Sequence, residues 1–379
     1  MRFLRKNKFD KTILVISDIH LGAGAYVNER RNYLEDFHYD EEMVDFLNFY
    51  SSGEYAHREV ELIINGDLFD LLAVPHVPFF DDEFWSEKAS MAKLKLIIEA
   101  HQEVMEAFAK FISIKKKKII YIIGNHDAEL VFPSLREYFL EQFPEKDRAN
   151  IEVFLEGNGE YVPVKGVVIK HGHQYEIAND FDPEKSIAVD SDGEPHFVPP
   201  WGSYYVTRVI NKFKEERGFV NAVRPIKKFI INGLIYDTLF TVRFGLSNFF
   251  YFFMVRFVGF FRQGKGFKEV LKSSLKELQL FRDYEALSEG IFQERPDLKI
   301  LIVGHTHEPI FRTYADGTAF INTGTWTRMF HLDFGKSTMD GHLTYAQIDL
   351  KKNQDEYEIG DMALNSWKGR NDLPFQEFN

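Results

Sequence analysis

Apolar residues in the first third of the chain fall into short, β-rich runs, each ending on a polar turn. Residues 11–17 (KTILVIS), 60–65 (VELIIN) and 118–123 (KIIYII) read as buried strands, since runs of this length rich in branched aliphatics suit a strand covered on both faces. Between them, 40–50 and 86–114 place apolar residues at helical spacing, the second with Met91, Leu94, Ile98, Val104, Met105, Phe108 and Phe111 on or near one face. Residues 127–143 read as a further helix, interrupted near Pro133.

After residue 150 the rhythm changes. Short strands separated by turns are predicted at 151–154, 160–164, 167–170, 299–303, 310–314, 319–322, 329–333 and 342–349, with no internal repeat. Strand–helix alternation followed by strand meanders predicts an α/β protein, with two sheets packed as layers and helices outside. The stretch 177–296 interrupts this plan and is aromatic, basic and mostly helical in character. The expected organisation is a main domain in two parts, 1–176 and 297–351, a helical insertion at 177–296, and a tail at 352–379. That tail is polar and expected to be surface-bound or partly disordered.

Composition narrows the chemistry. The 379 residues are 45% apolar and 27% charged, and none is cysteine. Disulfides and thiolate metal sites are therefore excluded, and a transition metal would need His, Asp, Glu or Asn. The first apolar run, 13–16, is too short for a signal-peptide core and stops at Asp18, so a cytoplasmic location is expected. The net charge of −12 is unevenly spread: residues 201–282 carry fifteen Lys and Arg against five Asp and Glu, a local +10 that leaves −22 for the rest. Such asymmetry suits a part that meets an anionic surface or ligand.

Five short motifs sit behind apolar runs: Asp18-Ile19-His20, Gly66-Asp67-Leu68-Phe69-Asp70, Gly124-Asn125-His126-Asp127, His171-Gly172-His173 and Gly304-His305-Thr306-His307. Strand ends of open α/β sheets are where ligands collect. Carboxylate, imidazole and amide oxygen together suit divalent transition metals. A D-x-H pair can aim both side chains at one ion if the chain turns there, and a G-H-x-H pair can present two imidazoles from one side of an extended segment. Taken singly, each motif has a bland reading as a turn or a buried histidine; five in this order do not arise readily by chance.

The five motifs together resemble the calcineurin-like metallophosphoesterase superfamily, whose pattern is D-x-H, G-D-x-x-D, G-N-H-[DE], H and G-H-x-H. The resemblance covers roughly 12–174 and 299–349. It implies a four-layer αββα sandwich of two mixed sheets flanked by helices, with the aromatic-rich insertion added, and two divalent metal ions, Mn2+ first, with Fe or Zn as other occupants. It further implies that Asp18, His20 and His307 hold one ion, that Asn125, His171 and His305 hold the other, and that Asp67 bridges them. His126 would contact the phosphate and protonate the leaving oxygen, with Asp70 orienting it. His173 would meet substrate or stand behind the ligands, and 322–325 (NTGT) would form a wall of the site. The reaction implied is hydrolysis of a phosphate ester or pyrophosphate by a metal-bridging hydroxide.

The partner expected is a phosphate-containing substrate, lipid-linked or nucleotide-linked. Residues 244–261 (FGLSNFFYFFMVRFVGFF) hold nine aromatics in eighteen positions and one charge. A helix apolar nearly all round is buried or meets lipid, and basic flanks suit an anionic lipid surface, so peripheral membrane contact through 200–282 is expected. The chain also resembles, in its S-D-x-H-L-G opening and helical cap, UDP-2,3-diacylglucosamine pyrophosphatase-like enzymes. It departs from them in a longer insertion and in His126 where well-known members carry Arg. Other readings are a soluble phosphatase or nucleotide phosphodiesterase with a structural cap, a nuclease, or a metal-binding scaffold. Nucleic acid ranks low as a partner because the basic residues are mixed with bulky apolar ones.

Overall fold

The computed structural model describes residues 9–74, 83–224, 226–263, 284–332, 343–354 and 356–369. Its strands in chain order are β1 (Lys11–Ile16), a small hairpin of β2 (Tyr26–Val27) and β3 (Arg30–Arg31), then β4 (Glu59–Asn65), β5 (Lys117–Ile122), β6 (Ile151–Phe154), β7 (Tyr161–Val164) and β8 (Val167–Ile169). The insertion adds β9 (Ile187–Val189), β10 (Pro195–Phe197) and β11 (Val223–Arg224). Then follow β12 (Ile300–Val303), β13 (Pro309–Thr313), β14 (Ala319–Thr323), β15 (Phe330–His331), β16 (Thr344–Asn353) and β17 (Glu356–Ser366).

Two mixed sheets carry the fold. One has the order β17-β16-β1-β4-β5-β6, parallel from β1 to β6 and antiparallel at β16 and β17. The other has the order β13-β14-β12-β8-β7, with a parallel centre and antiparallel edges. Side-chain alternation decides what each face covers. Ile13, Val15, Ile63 and Ile120 of the first sheet pack against Val167, Ile169, Ile300 and Ile302 of the second. The alternate residues Leu14, Ile16, Leu62, Ile64 and Ile119 turn outward to a cluster shared with helices α1 (Asp40–Tyr50), α2 (Glu87–Ala100), α3 (Gln102–Ile112) and α4 (Pro133–Glu141). On the far side, Leu301, Val303 and Phe320 meet Phe292. The result is helix, sheet, sheet, helix: the expected αββα layering.

Three expectations change. The long helix at 86–114 is two helices, because His101 leaves helical geometry at φ −120° and its buried ring binds Asp40 Oδ1 through Nδ1 at 2.6 Å. The segment 356–366, expected as tail, is the edge strand β17, paired along the whole of β16. Its outer face is polar and its inward Tyr357, Ile359, Met362 and Leu364 pack only partly against the inter-sheet core, so its apolar signal is weak. The insertion is not helical throughout, since β9 and β10 form a hairpin and β11 pairs parallel with β15. Parts of the predicted strands 329–333 and 342–349, and of the basic stretch 200–282 past residue 263, lie outside the described residues.

Besides the single-turn α5 (Glu156–Gly159) that precedes it, the insertion's helices are α6 (Trp201–Tyr205), which runs through a π-turn at Val206–Ile210 into α7 (Asn211–Glu216), then α8 (Ile226–Tyr236) and α9 (Thr238–Gln263). The chain returns to the sheets through α10 (Tyr284–Glu294), which supplies Phe292. The insertion is tied to the domain beneath it: Asn211 Nδ2 donates to Leu72 O at 2.8 Å, and Lys214 Nζ reaches Leu34 O and Asp36 Oδ2 at 2.8 and 2.7 Å.

Candidate metal centre

Every motif lies where a strand of one sheet or the other gives way to a loop. Asp18 and His20 follow β1, Asp67 and Asp70 follow β4, Asn125 and His126 follow β5, His171 follows β8, and His305 and His307 follow β12. The turns are tight. Asp18, His20, Asp67, His305 and His307 all have left-handed backbone, with φ between 52° and 69°, a conformation sparsely populated by non-glycine residues and held only where the surroundings over-determine it. The alternation expected for the G-H-x-H segment is therefore corrected: His305 and His307 do not share one face of an extended strand. The kink sends them to different groups of donors.

Three overlapping groups result. Asp18, His20 and His307 bring ligand atoms within 4.8 Å of one another, as do His20, Asp67 and His126, and Asp67, His171 and His305. His307 Nε2 is 3.3 Å from Asp18 Oδ1 and 3.1 Å from His20 Nε2, and His171 Nε2 is 3.2 Å from Asp67 Oδ2. Adjacent donors around an octahedral ion with bonds of about 2.1 Å lie about 3.0 Å apart, so these spacings fit a divalent cation. Asn125 Oδ1 is buried with no hydrogen-bond partner among the described residues, as an amide oxygen open to a cation would be. His171 donates from Nδ1 to Asn65 O at 2.7 Å, which fixes the ring with Nε2 turned toward Asp67.

The space for this is made by glycine. At Gly124 a Cβ would strike the Asp67 carboxylate, and at Gly66, itself at φ +85°, it would strike the His171 ring.

Electrostatics reinforce the geometry. Burial works against charge on His171, yet Asp67 and Asp18 outweigh it and push the ring up to about 10. Burial likewise opposes charge on His126, but Asp70 and Asp67 raise it to about 9. Despite the burial of both carboxyls, His307 holds Asp18 down to about 2, and His171 and His126 hold Asp67 well below the carboxylate range. A pocket that binds protons this strongly has the negative potential to draw in a divalent cation in their place.

Asp70 stands behind two rings. Its Oδ1 pairs with His126 Nδ1 at 2.9 Å and its Oδ2 with His20 Nδ1 at 3.3 Å. The His126 backbone N–H donates to Asp67 Oδ1 at 2.9 Å, so the two motif loops are stitched together. Asp127 plays no part in these groups. It is buried, accepts from Leu68 N at 2.8 Å and from Tyr121 Oη and Gly124 N, and burial followed by the Asp67 charge raises it to about 7.

His173 stands apart from the three donor groups. Gly172 at φ 119° turns the chain, and the His173 ring is buried, stacked on Phe181 at 4.9 Å and 5.4 Å from His171. Its position is behind His171, against the insertion, and burial depresses its basicity. The 322–325 turn braces the ligands: Thr325 Oγ1 donates to Asp18 O at 2.7 Å, and Asn322 Nδ2 to Gly304 O at 2.9 Å.

Two residues escaped the sequence reading. Glu176 Oε2 lies 2.9 Å from His305 Nε2, and Asn179 Nδ2 donates to the same Glu176 oxygen at 2.9 Å. Their signal was slight, a carboxylate and an amide a few positions past His171 where the insertion begins.

Layered mixed sheets with nitrogen and oxygen donors gathered at their strand ends define an α/β protein built to hold divalent metal. The chain matches the sequence model of the calcineurin-like phosphoesterases over residues 11–207, and it belongs to that family. No curated protein matches it. Solved structures similar to it include a dimetal phosphatase from Danio rerio (12% identity, 95% of this chain and 100% of that one, TM-score 0.36). Another is the calcineurin-like phosphoesterase YfkN from Bacillus subtilis (13% identity, 94% and 90%, TM-score 0.32). A third is Vps29 complexed with Zn2+ from Entamoeba histolytica (12% identity, 93% and 98%, TM-score 0.28). All three likenesses are distant.

Proposed function

We propose that this chain is a hydrolase of phosphate esters or pyrophosphates that works with two divalent ions, Mn2+ first among them. The observation that carries the reading is Asp67, whose Oδ2 lies 3.7 Å from His20 Nε2 and 3.2 Å from His171 Nε2, one ring from each of the two ligand sets, so that its carboxylate can serve a pair of ions. Asp18, His20 and His307 would hold one ion, and Asn125, His171 and His305 the other. A bound pair supplies a solvent nucleophile of lowered pKa and positive charge for the phosphoryl oxygens.

The chain's own residues do the rest. Asp70 fixes His126 through Nδ1 and leaves Nε2 as the nitrogen to carry a proton to the leaving oxygen. The charges of Asp70 and Asp67 keep that proton on the ring near neutral pH. Asp70 also holds His20, so one carboxylate sets both a ligand and the acid.

The substrate we favour is a phosphate linked to a lipid or a nucleotide. What supports it is the insertion, which leaves the domain shortly after His173 and rests on Leu72, two residues from Asp70. A soluble phosphomonoester or nucleotide is the second reading, favoured by the cluster Val209, Phe213, Val220 and Phe240, through which part of the insertion simply packs on itself.

The test is hydrolysis of bis-p-nitrophenyl phosphate with Mn2+, Fe2+ or Zn2+, with chelation as control. Turnover lost on chelation and restored by metal is expected. Protein that binds two ions and turns over neither this diester nor a monoester would be a metal-binding scaffold.

A further inference from the structure

Helix α9 is apolar on opposite sides. Phe240 and Thr241 are buried and Phe244 is half-buried, and the two phenylalanines pack against Phe213 with ring centroids 5.5 and 5.1 Å away. On the other side Leu239, Val242, Leu246, Phe249, Phe250 and Phe253 recur every three or four residues and are exposed, Phe249 by 69% and Phe250 by 64%. Helix α8 likewise exposes Ile231, Leu234 and Ile235 on one face. The two helices approach closely, since a Cβ at Gly233 would collide with Thr241. Scattered exposed apolar residues are ordinary, but a contiguous large patch marks an interaction surface.

The charge around the patch selects the partner. Arg208, Lys212 and Lys228 are exposed on the same insertion, as are Arg217, paired with Asp237, and Arg243, paired with Glu216. The region 201–282 is strongly positive in a chain that is otherwise acidic. Two copies joined through this face would set like charges together. An anionic bilayer would meet both the apolar side chains and the cations. Among the described residues no helix is long and apolar enough to cross a membrane, so the fit is to helices lying in the interface.

We infer that the outer faces of α8 and α9 dock the protein on the surface of an anionic phospholipid bilayer. The inference deepens the proposal of a lipid-linked substrate and rests on it for its purpose, though not for its evidence. The helix leading to this surface is anchored through Asn211 to Leu72, on the loop that carries Asp70. Docking would bring the domain that carries the donor cluster to the bilayer surface. The contact is association only, and no bond is made or broken.

The experiment is sedimentation of the full chain with phosphatidylcholine vesicles, with and without phosphatidylglycerol. Each cation near such a surface is worth about fivefold in binding, so at least roughly tenfold tighter binding to the anionic vesicles is expected. Binding should fall in salt near 1 M, where the screening length is about 3 Å. Replacing Phe249→Ser with Phe250→Ser should weaken vesicle binding roughly 10²-fold or more, from the apolar area lost, while hydrolysis of the soluble diester is unchanged. Should that pair fail to fold, Ile231→Ser with Ile235→Ser decides in its place. Either folded pair binding vesicles like wild type overturns the inference. So does a wild type that ignores anionic vesicles, or one whose patch instead makes a concentration-dependent dimer abolished by the same substitutions. Soluble turnover without vesicle binding defeats the docking surface and spares the phosphoesterase; vesicle binding without turnover does the reverse.

Discussion

Phenylalanine has two opposite fates in this molecule. Phe46 on α1 is fully buried, with Tyr50, Trp326, Tyr345 and Trp367 edge-on to it at centroid distances of 5.0 to 5.4 Å. Phe249 and Phe250 on α9 stand mostly in solvent. The first kind holds the layers whose strand ends carry the metal donors. The second contributes little to that fold, and its cost in water has to be explained by something outside it. Residue type alone does not tell a core from a contact surface; what lies opposite the side chain does.

The comparison can be pressed at the metal centre first. Asp67→Ala should cost both ions and more than about 10³-fold in turnover, beyond the roughly 10²–10³ of losing one transition-state donor. Metal analysis showing two ions retained would break the assignment of Asp67 as the shared ligand. His126→Ala comes next: ions retained, turnover down by about 10²–10⁴-fold. The loss should shrink for leaving groups such as nitrophenolate that need no proton, and equal losses for nitrophenyl and alkyl esters would leave His126 a positioning residue.

The two phenylalanines are then set side by side. Phe46→Ala should destabilise by about 3–5 kcal/mol, the usual range for an emptied aromatic site. Phe249→Ala should stay within about 0.5 kcal/mol. Chemical denaturation of both variants measures the contrast, and a large loss for Phe249 would mean that α9's outer face is core after all.

A pH dependence of stability is also expected. Burial opposes the charge on His101, but its hydrogen bond to Asp40 and the Glu35 carboxylate 3.8 Å from its Nε2 raise it to about 9. A histidine raised on folding stabilises fully below its unfolded value of about 6.5, and that stabilisation fades as pH rises through the folded value. It amounts to about 2–3 kcal/mol, lost between roughly pH 6.5 and 9. Thermal midpoints of wild type and His101→Gln should converge across that window.

Much of this was legible beforehand. The runs before Asp18, Asp67, Asn125, His171 and His305 are continuous and strongly apolar, and such runs announce buried strands and the turns after them. The break at His101 was hidden because both helices keep the same apolar period and only a tertiary contact with Asp40 parts them. Strand β17 was hidden because one face is solvated and the other is only half-covered. Glu176 and Asn179 were hidden because their contact with His305 joins segments far apart in the chain. For α9 the difficulty was of another kind: an all-apolar helix has no period, so the sequence could not say which face is covered.

The five left-handed residues of the metal centre set backbone strain against side-chain contacts. Side chains there oppose the backbone that the site requires, by on the order of 1 kcal/mol each relative to glycine. Glycine at any of them would release that strain and lose the contacts of the side chain, such as the His305 N–H bonds to the Asp18 carboxylate at 2.9 and 3.1 Å. A metal-free Asp18→Gly protein that melts below metal-free wild type would show that those contacts outweigh the strain.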